Sequence, residues 1–97
     1  MDNLKKIQEI KKQTVCKKID GEMVIIPLVN DVIDMKEMFT LNEVGTFIWD
    51  NIDNKDNIEA IVDELTKHFD VERPVAHKDC IDFMKDVTTS FHYLLKD

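Results

Sequence analysis

Hydrophobic residues in the first third of the chain follow the period of β-strands. Apolar side chains are frequent in residues 15–19 and 23–28, on either side of the pair Asp20-Gly21. Asp-Gly is typical of the tight turn that joins two antiparallel strands. The sequence therefore predicts a β-hairpin here, with Pro27 expected near a strand end or at an edge position because it lacks a backbone donor.

A second turn at residues 30–31 leads to a third predicted strand over residues 32–38. Ile33 and Met35 point to one face of this strand, and the charged residues that alternate with them point to the other. Such a strand suits a small sheet with one solvated face. Three strands alone are not stable, so helices are expected to cover them.

The first predicted helix after the strands begins with a capping box. Thr40 is the expected N-cap and Glu43 the reciprocal partner, with Phe39 and Val44 as the accompanying hydrophobic staple. Gly45 stands inside this helix, where glycine costs roughly 0.5–1 kcal/mol relative to alanine. We therefore predict that Gly45 allows another backbone or a bulky side chain to approach closely.

Two further helices and an apolar tail complete the predicted order. Hydrophobic residues at helical spacing predict a helix over residues 58–69, capped by Asn57 or Asp56. Pro74 suits the first turn of a third helix, which runs to residues 88–90, and the tail at 91–95 is expected to fold back onto the core. The order β-β-β-α-α-α predicts an α+β domain in which a three-stranded antiparallel meander packs against three α-helices.

Residues 1–13 precede this pattern as a basic arm. Leu4, Ile7 and Ile10 recur every three residues, which allows either a short marginal helix or a frayed lead-in. With 97 residues the chain has room for one domain, which we place at residues 14–97.

Net charge and hydropathy argue against nucleic-acid and membrane partners. The net charge is −7 and all acidic residues except Asp2 and Glu9 lie after the arm, so the body of the protein repels the phosphate backbone of nucleic acids. No apolar run approaches the roughly 20 residues that span a bilayer. The charged N-terminus lacks the apolar core of a signal peptide, so a cytoplasmic location is expected, without membrane or nucleic-acid partners.

The residues that usually carry catalysis or metal binding form no motif. Cys16 and Cys80 are far apart, which favours reduced thiols over a disulfide or a shared metal site. The three histidines lack partners at ligand spacing, and two glycines cannot build a phosphate-binding loop. We therefore expect no catalytic residues, no metal and no cofactor, and predict that the protein is not an enzyme.

Two classes of binding module fit three helices and a small sheet. One is a winged-helix DNA-binding regulator, which needs a basic recognition helix. Residues 75–90 carry only Lys78 and Lys85 against three aspartates, which disfavours it. The other is a peptide-binding domain that offers a free strand edge.

Four stretches resemble the PqqD family, which includes the recognition elements of ribosomally synthesised, modified peptides (RiPPs). They are IDGEMVIIPL, LNEVGTFIWDNID, IEAIVDELTKHFDV and DCIDFMKDV, and the resemblance extends over about residues 14–95. It implies a winged-helix-like fold without catalysis. It also implies that the domain binds the leader segment of a precursor peptide and presents it to a modifying enzyme, often a radical SAM protein, in the synthesis of PQQ or another RiPP. A scaffold subunit that docks on an enzyme without binding peptide is an alternative.

The resemblance also implies where the leader binds. It adds as a strand to the third β-strand and lies in a groove against the third helix. The corresponding strand residues are Val32, Ile33, Asp34, Met35 and Lys36. On the third helix, Ile81 and Met84 are the candidates for the groove wall, with ordinary core packing as the alternative for both. The tail lacks the glycine that commonly stops this helix in relatives, so it could partly occlude the groove.

Overall fold

The protein has an α+β architecture, as the sequence predicts. The computed structural model describes residues 3–30 and 32–95. Its helices are α1 (Asn3–Lys12), α2 (Glu43–Asn51), α3 (Ile58–His68) and α4 (Arg73–Ser90), its strands are β1 (Thr14–Ile19), β2 (Glu22–Val29), β3 (Val32–Ile33) and β4 (Phe39–Leu41), and its two 3-10 turns are Met35–Glu37 and His92–Leu94. Within the described residues, no helix is both long enough and apolar enough to cross a membrane.

The predicted hairpin of β1 and β2 is confirmed. The two strands pair antiparallel from Thr14 opposite Pro27 to Ile19 opposite Glu22. Asp20 and Gly21 both have positive φ, at 53° and 83°, as a tight primed turn requires. Asp31, which was predicted to complete the next turn, lies outside the described residues.

The prediction of one continuous third strand over residues 32–38 is wrong. β3 pairs with the end of β2 at Leu28 and Val29, and β4 pairs with its start at residues 23–25. Between these two pairings, five residues of the outer chain, 34–38, face only Ile26 and Pro27 of β2. The outer strand is therefore split in two, with a 3-10 turn between its halves.

Pro27 explains the interruption. The N–H of Leu28 donates to the Gln13 carbonyl at 2.8 Å, so Leu28 faces β1. Backbone groups alternate sides along a strand, and Pro27 accordingly faces the outer chain, where its carbonyl accepts from the Asp34 N–H at 2.9 Å. Because proline has no N–H to donate, the ladder lacks a bond at this point. The chain leaves the sheet, and the Asp34 side chain caps the turn by accepting from the Lys36 N–H at 3.1 Å.

Helix α2 begins later than predicted, at Glu43, with Asn42 as its N-cap. The Asn42 side chain accepts from the Gly45 N–H at 2.7 Å. The predicted capping box of Thr40 with Glu43 and the staple of Phe39 with Val44 are both wrong. Residues 39–41 pair with β2 instead, so the strand uses the residues that the local pattern assigned to the helix start.

Helices α3 and α4 agree with their predictions. Asn57 caps α3 by accepting from the Ala60 N–H at 2.9 Å, and Pro74 lies in the first turn of α4. The tail folds back as expected, since Phe91 and Leu94 are buried. The last helix ends at Ser90 without a glycine, and a 3-10 turn follows it.

Helix α1 is part of the core. Leu4, Ile7 and Ile10 are all buried in the same cluster as α2, α3 and α4. The Lys11 ammonium donates to the Trp49 carbonyl at 2.6 Å and lies 3.0 Å from the Asp53 carboxylate. Residues 3–12, predicted to form a basic arm, are therefore a packed helix, and the frayed lead-in is wrong for them.

Candidate functional site: an open strand edge and its groove

The outer side of β3 and β4 is an open sheet edge. Both strands pair with β2 on one side, and no other strand in residues 3–30 or 32–95 pairs with them on the other. Val32 and Phe39 each lie opposite a β2 residue whose N–H and C=O groups point toward the outer chain. The N–H and C=O groups of Val32 and Phe39 therefore point toward β2. By the same alternation, the N–H and C=O groups of Ile33 and Thr40 point away from the sheet and are available to another strand.

Exposed hydrophobic residues concentrate along this edge. Of the seven large hydrophobic side chains that are exposed in the described residues, six lie on or beside it; we call them the edge patch: Val29, Val32, Ile33, Met35, Met38 and Tyr93. Val32 is 65% exposed and Met35 is 51% exposed. Apolar residues scattered singly over a surface need no explanation, whereas their concentration along one open strand edge favours a surface that binds a partner.

Tyr93 joins the C-terminal 3-10 turn to this edge. Partial burial raises the pKa of the Tyr93 phenol, and the nearby carboxylates of Glu37 and Asp34 raise it further. The ring also lies 6.5 Å from that of the buried Phe91. The tail thus borders the edge at the split between β3 and β4 and leaves the Tyr93 side chain 47% exposed.

A groove runs from β4 to α4. It consists of two adjoining cavities of about 500 Å³ and about 260 Å³, which we call together the edge groove. Asn42, Gly45, Phe83 and Asp86 line both cavities. Strand residues Phe39, Thr40 and Leu41 add one wall, and Asp79 and Asp82 of α4 extend the other.

Gly45 sets the width of this groove. A Cβ atom at Gly45 would lie 3.1 Å from the Phe83 ring and 3.2 Å from the Asn42 side-chain oxygen. Both contacts are tighter than ordinary van der Waals distances, so only glycine lets the ring lie against α2 unhindered. The prediction that Gly45 admits a bulky neighbour is confirmed, and the neighbour is Phe83.

The five strand residues singled out in the sequence lie together at the open edge. Val32, Ile33 and Met35 belong to the edge patch. Asp34 caps the 3-10 turn, and Lys36 is exposed within it. The segment is thus in the expected place, although only its first two residues form a strand.

The two predicted helix residues do not line the edge groove. Met84 is fully buried in the core. Ile81 lies one turn from His77, whose ring nitrogen is 3.4 Å from Glu59 of α3, so this face of α4 turns toward α3. Phe83 lies two residues from Ile81, hence on nearly the opposite side of the helix, and faces the groove.

Sequence reasoning missed Phe83 and Tyr93. Phe83 lies at the border of the apolar arc of α4, and only its position opposite Gly45 distinguishes it from a core residue. Tyr93 reaches the edge because the tail folds back; the sequence predicted that the tail folds back, but not which of its side chains meets the edge.

The two cysteines differ in burial. Cys80 is buried, and burial raises the pKa of its thiol to about 11, while Cys16 is exposed. In the described part of the chain, no group of three His, Cys, Asp or Glu residues is arranged to hold a metal ion.

Comparisons with known proteins match the chain to a family model and to a solved structure. The family model of coenzyme PQQ synthesis protein D (PqqD) matches residues 22–89. A solved structure described as TbiB1 in complex with the TbiA(beta) leader peptide is 29% identical, with a TM-score of 0.64 over 82% of this chain and 87% of that one. A comparison with curated protein sequences found no match.

Proposed function

Because the chain belongs to the family of coenzyme PQQ synthesis protein D, we propose that it binds the leader segment of a ribosomally made precursor peptide and presents it to a modifying enzyme. The observation that carries this proposal is the open edge of β3 and β4, with an exposed apolar patch along it and a groove beside it. The leader-bound state of the related TbiB1 structure supports it.

The leader adds to this edge as a further strand. The outward backbone groups of Ile33 and Thr40 form hydrogen bonds with it, and these main-chain bonds provide affinity without regard to sequence. Alternate side chains of the added strand point to one face of the sheet, toward α4. There they contact Phe83 and the edge patch, and these contacts provide specificity.

The protein is a peptide chaperone without catalytic groups of its own. The chemistry belongs to the partner, for which a radical SAM enzyme suits the family. Binding along one edge holds the leader in place and leaves the modifiable part of the precursor free to enter that enzyme. The protein itself uses no cofactor in this role.

A winged-helix DNA binder gains no support from α4. Lys78 is paired with Asp82 at 2.7 Å, and the groove side of α4 carries three aspartates. A helix with this charge repels a phosphate backbone. Binding of duplex DNA is therefore an outcome that would contradict the proposal.

The proposal is tested by titrating the purified protein with the leader of a precursor peptide encoded beside its gene. Leaders with a single N-methylated backbone amide serve as matched probes, since each lacks one donor and keeps its side chain. Strand addition predicts that methylation at alternate residues abolishes binding and that methylation at the residues between them has little effect. No binding by any neighbouring leader, or a loss without alternation, contradicts it.

A further inference from the structure

The edge groove is polar on the side of α4. Asp79, Asp82 and Asp86 recur at three- and four-residue spacing and so lie on one face of the helix. Phe83 lies on this face among them and lines both cavities. A strand bound at the edge therefore meets an aromatic ring with carboxylates on both sides along the helix.

Among the residues that the structure describes, Asp82 is the one groove aspartate with an ion-pair partner, and that partner, Lys78, also acts electrostatically on Asp79. The Lys78 ammonium donates to Asp82 at 2.7 Å and lowers the pKa of that carboxyl. In residues 3–30 and 32–95, neither Asp79 nor Asp86 has an ion-pair partner. The same holds for Glu22, which lines the larger cavity from the start of β2.

A bound strand changes the environment of these groups. Water solvates Asp79 and Asp86 in the free protein, and a peptide lying in the groove displaces part of that water. Removing solvent from a carboxylate without supplying a partner is costly, whereas a cation from the ligand offsets the cost and forms charge-assisted hydrogen bonds. The Phe83 ring adds a favourable face for such a cation. Peptides without a cation at this point are thus disfavoured.

From this arrangement we infer that the groove selects leader segments with an arginine or lysine opposite Asp79 and Asp86, and apolar residues against the edge patch. The inference rests on the proposed function and adds the class of peptide. It does not rest on the acidic residues alone, because the open strand edge and the exposed apolar residues independently indicate where a peptide lies.

A peptide-display library of random 12-residue sequences tests the inference with a defined probe. Three proteins are compared: the native chain, the double variant Asp79→Asn/Asp86→Asn, and the control Asp56→Asn/Asp70→Asn. The control removes the same charge at two exposed aspartates outside the edge groove. Thermal unfolding of all three proteins verifies that each remains folded.

Peptides selected on the native chain and on the control are expected to combine alternating apolar residues with an enriched Arg or Lys at one position. The groove variant should retain the apolar alternation and lose that enrichment. For one selected peptide, changing the cation to Gln should weaken binding to the native chain about three- to tenfold at low salt, and should barely affect binding to the groove variant.

Two results would overturn the inference, and they differ in what else they affect. Selected peptides with no basic preference, or with one that persists on the groove variant, contradict the inference and leave the proposed function intact. A library that yields no binding peptide on the native chain contradicts both.

Discussion

At the scale of single residues, glycine and proline shape the site. Gly45 has a lower helix propensity than alanine, but it leaves room for the Phe83 ring to lie against α2. Pro27 has no N–H to donate, so the outer strand is divided opposite it. Met35 and Met38 lie between the two halves of that strand and are exposed. Neither residue needs to touch a peptide, yet both determine the surface that a peptide meets.

The substitution Gly45→Ala tests whether the position of the Phe83 ring matters for peptide binding. The added methyl group would press on the Phe83 ring at 3.1 Å, and this half-buried ring lines the edge groove, so a shift of the ring changes the groove wall. We expect stability to change by less than about 1 kcal/mol, because the gain in helix propensity offsets the close contact. Leader affinity should fall several-fold, and calorimetric titration measures it. Unchanged affinity in the folded variant would show that the position of Phe83 does not matter for binding.

The two cysteines should react very differently with iodoacetamide. Cys16 is exposed, and its pKa is raised by partial burial and then by Asp50, so its alkylation should accelerate as the pH rises toward and above 9. Cys80 is buried and should stay unmodified until the protein unfolds. Mass spectrometry of the folded protein should find one label, on Cys16. Labelling of Cys80 under native conditions would contradict the packing of α4.

Cys80 also makes stability depend on pH. Its folded pKa of about 11 exceeds the reference value of 9.0, so the folded state holds the proton that the unfolded state loses. The stabilisation is complete below pH 9 and is lost as the pH rises through 11, by about 3 kcal/mol in total. Denaturant unfolding of the native chain and of Cys80→Ala should show a smaller pH dependence in the variant. Equal slopes would exclude this contribution.

At the scale of secondary-structure elements, the sequence predicted correctly the elements that a few neighbouring residues determine. The Asp20-Gly21 turn, the Asn57 cap and the periodic residues of α3 each determine their element without distant help. The predicted capping box at Thr40 is wrong because residues 39–41 pair with β2 as a strand. The split strand was missed because sequence does not reveal which neighbour the missing donor of Pro27 faces.

The candidate site was likewise predicted only in part, because some of its features follow from local sequence and others depend on packing. The edge segment follows from strand order, so residues 32–36 were expected at the open edge, where the structure has them, and their contact with a peptide stays a prediction. The groove wall depends on how α4 is rotated about its axis. Met84 and Phe83 are consecutive in sequence and lie at opposite borders of the apolar arc of α4, and only packing against α2 decides which faces the groove.

The elements α1 and β3 should have separate roles, which two matched substitutions test. Ile7→Ala removes a fully buried side chain from α1 and should destabilise the protein by about 2–5 kcal/mol. Ile33→Ala changes a side chain that is 40% exposed on β3 and should cost less than about 1 kcal/mol. In leader titrations the order should reverse, with Ile33→Ala the weaker binder. An Ile7→Ala variant as stable as the native chain would contradict the place of α1 in the core.

At the scale of the whole molecule, the exposed large apolar residues concentrate along the open sheet edge, while the helices pack into one core. The core joins all four helices, including α1, which lies outside the region that the family model matches. The edge groove and edge patch occupy the side where the sheet is open. The net charge of −7 agrees with a preference for cationic peptide segments over nucleic acids.

Amide hydrogen exchange, read residue by residue by NMR, tests strand addition at β3 and β4 most directly. In the free protein, the outward N–H groups of Ile33 and Thr40 should exchange rapidly, while those of Phe39 and Leu41, which bond to β2, should be protected. Adding the leader peptide should slow exchange at Ile33 and Thr40 specifically. Saturating leader that leaves both amides unprotected would contradict strand addition at this edge.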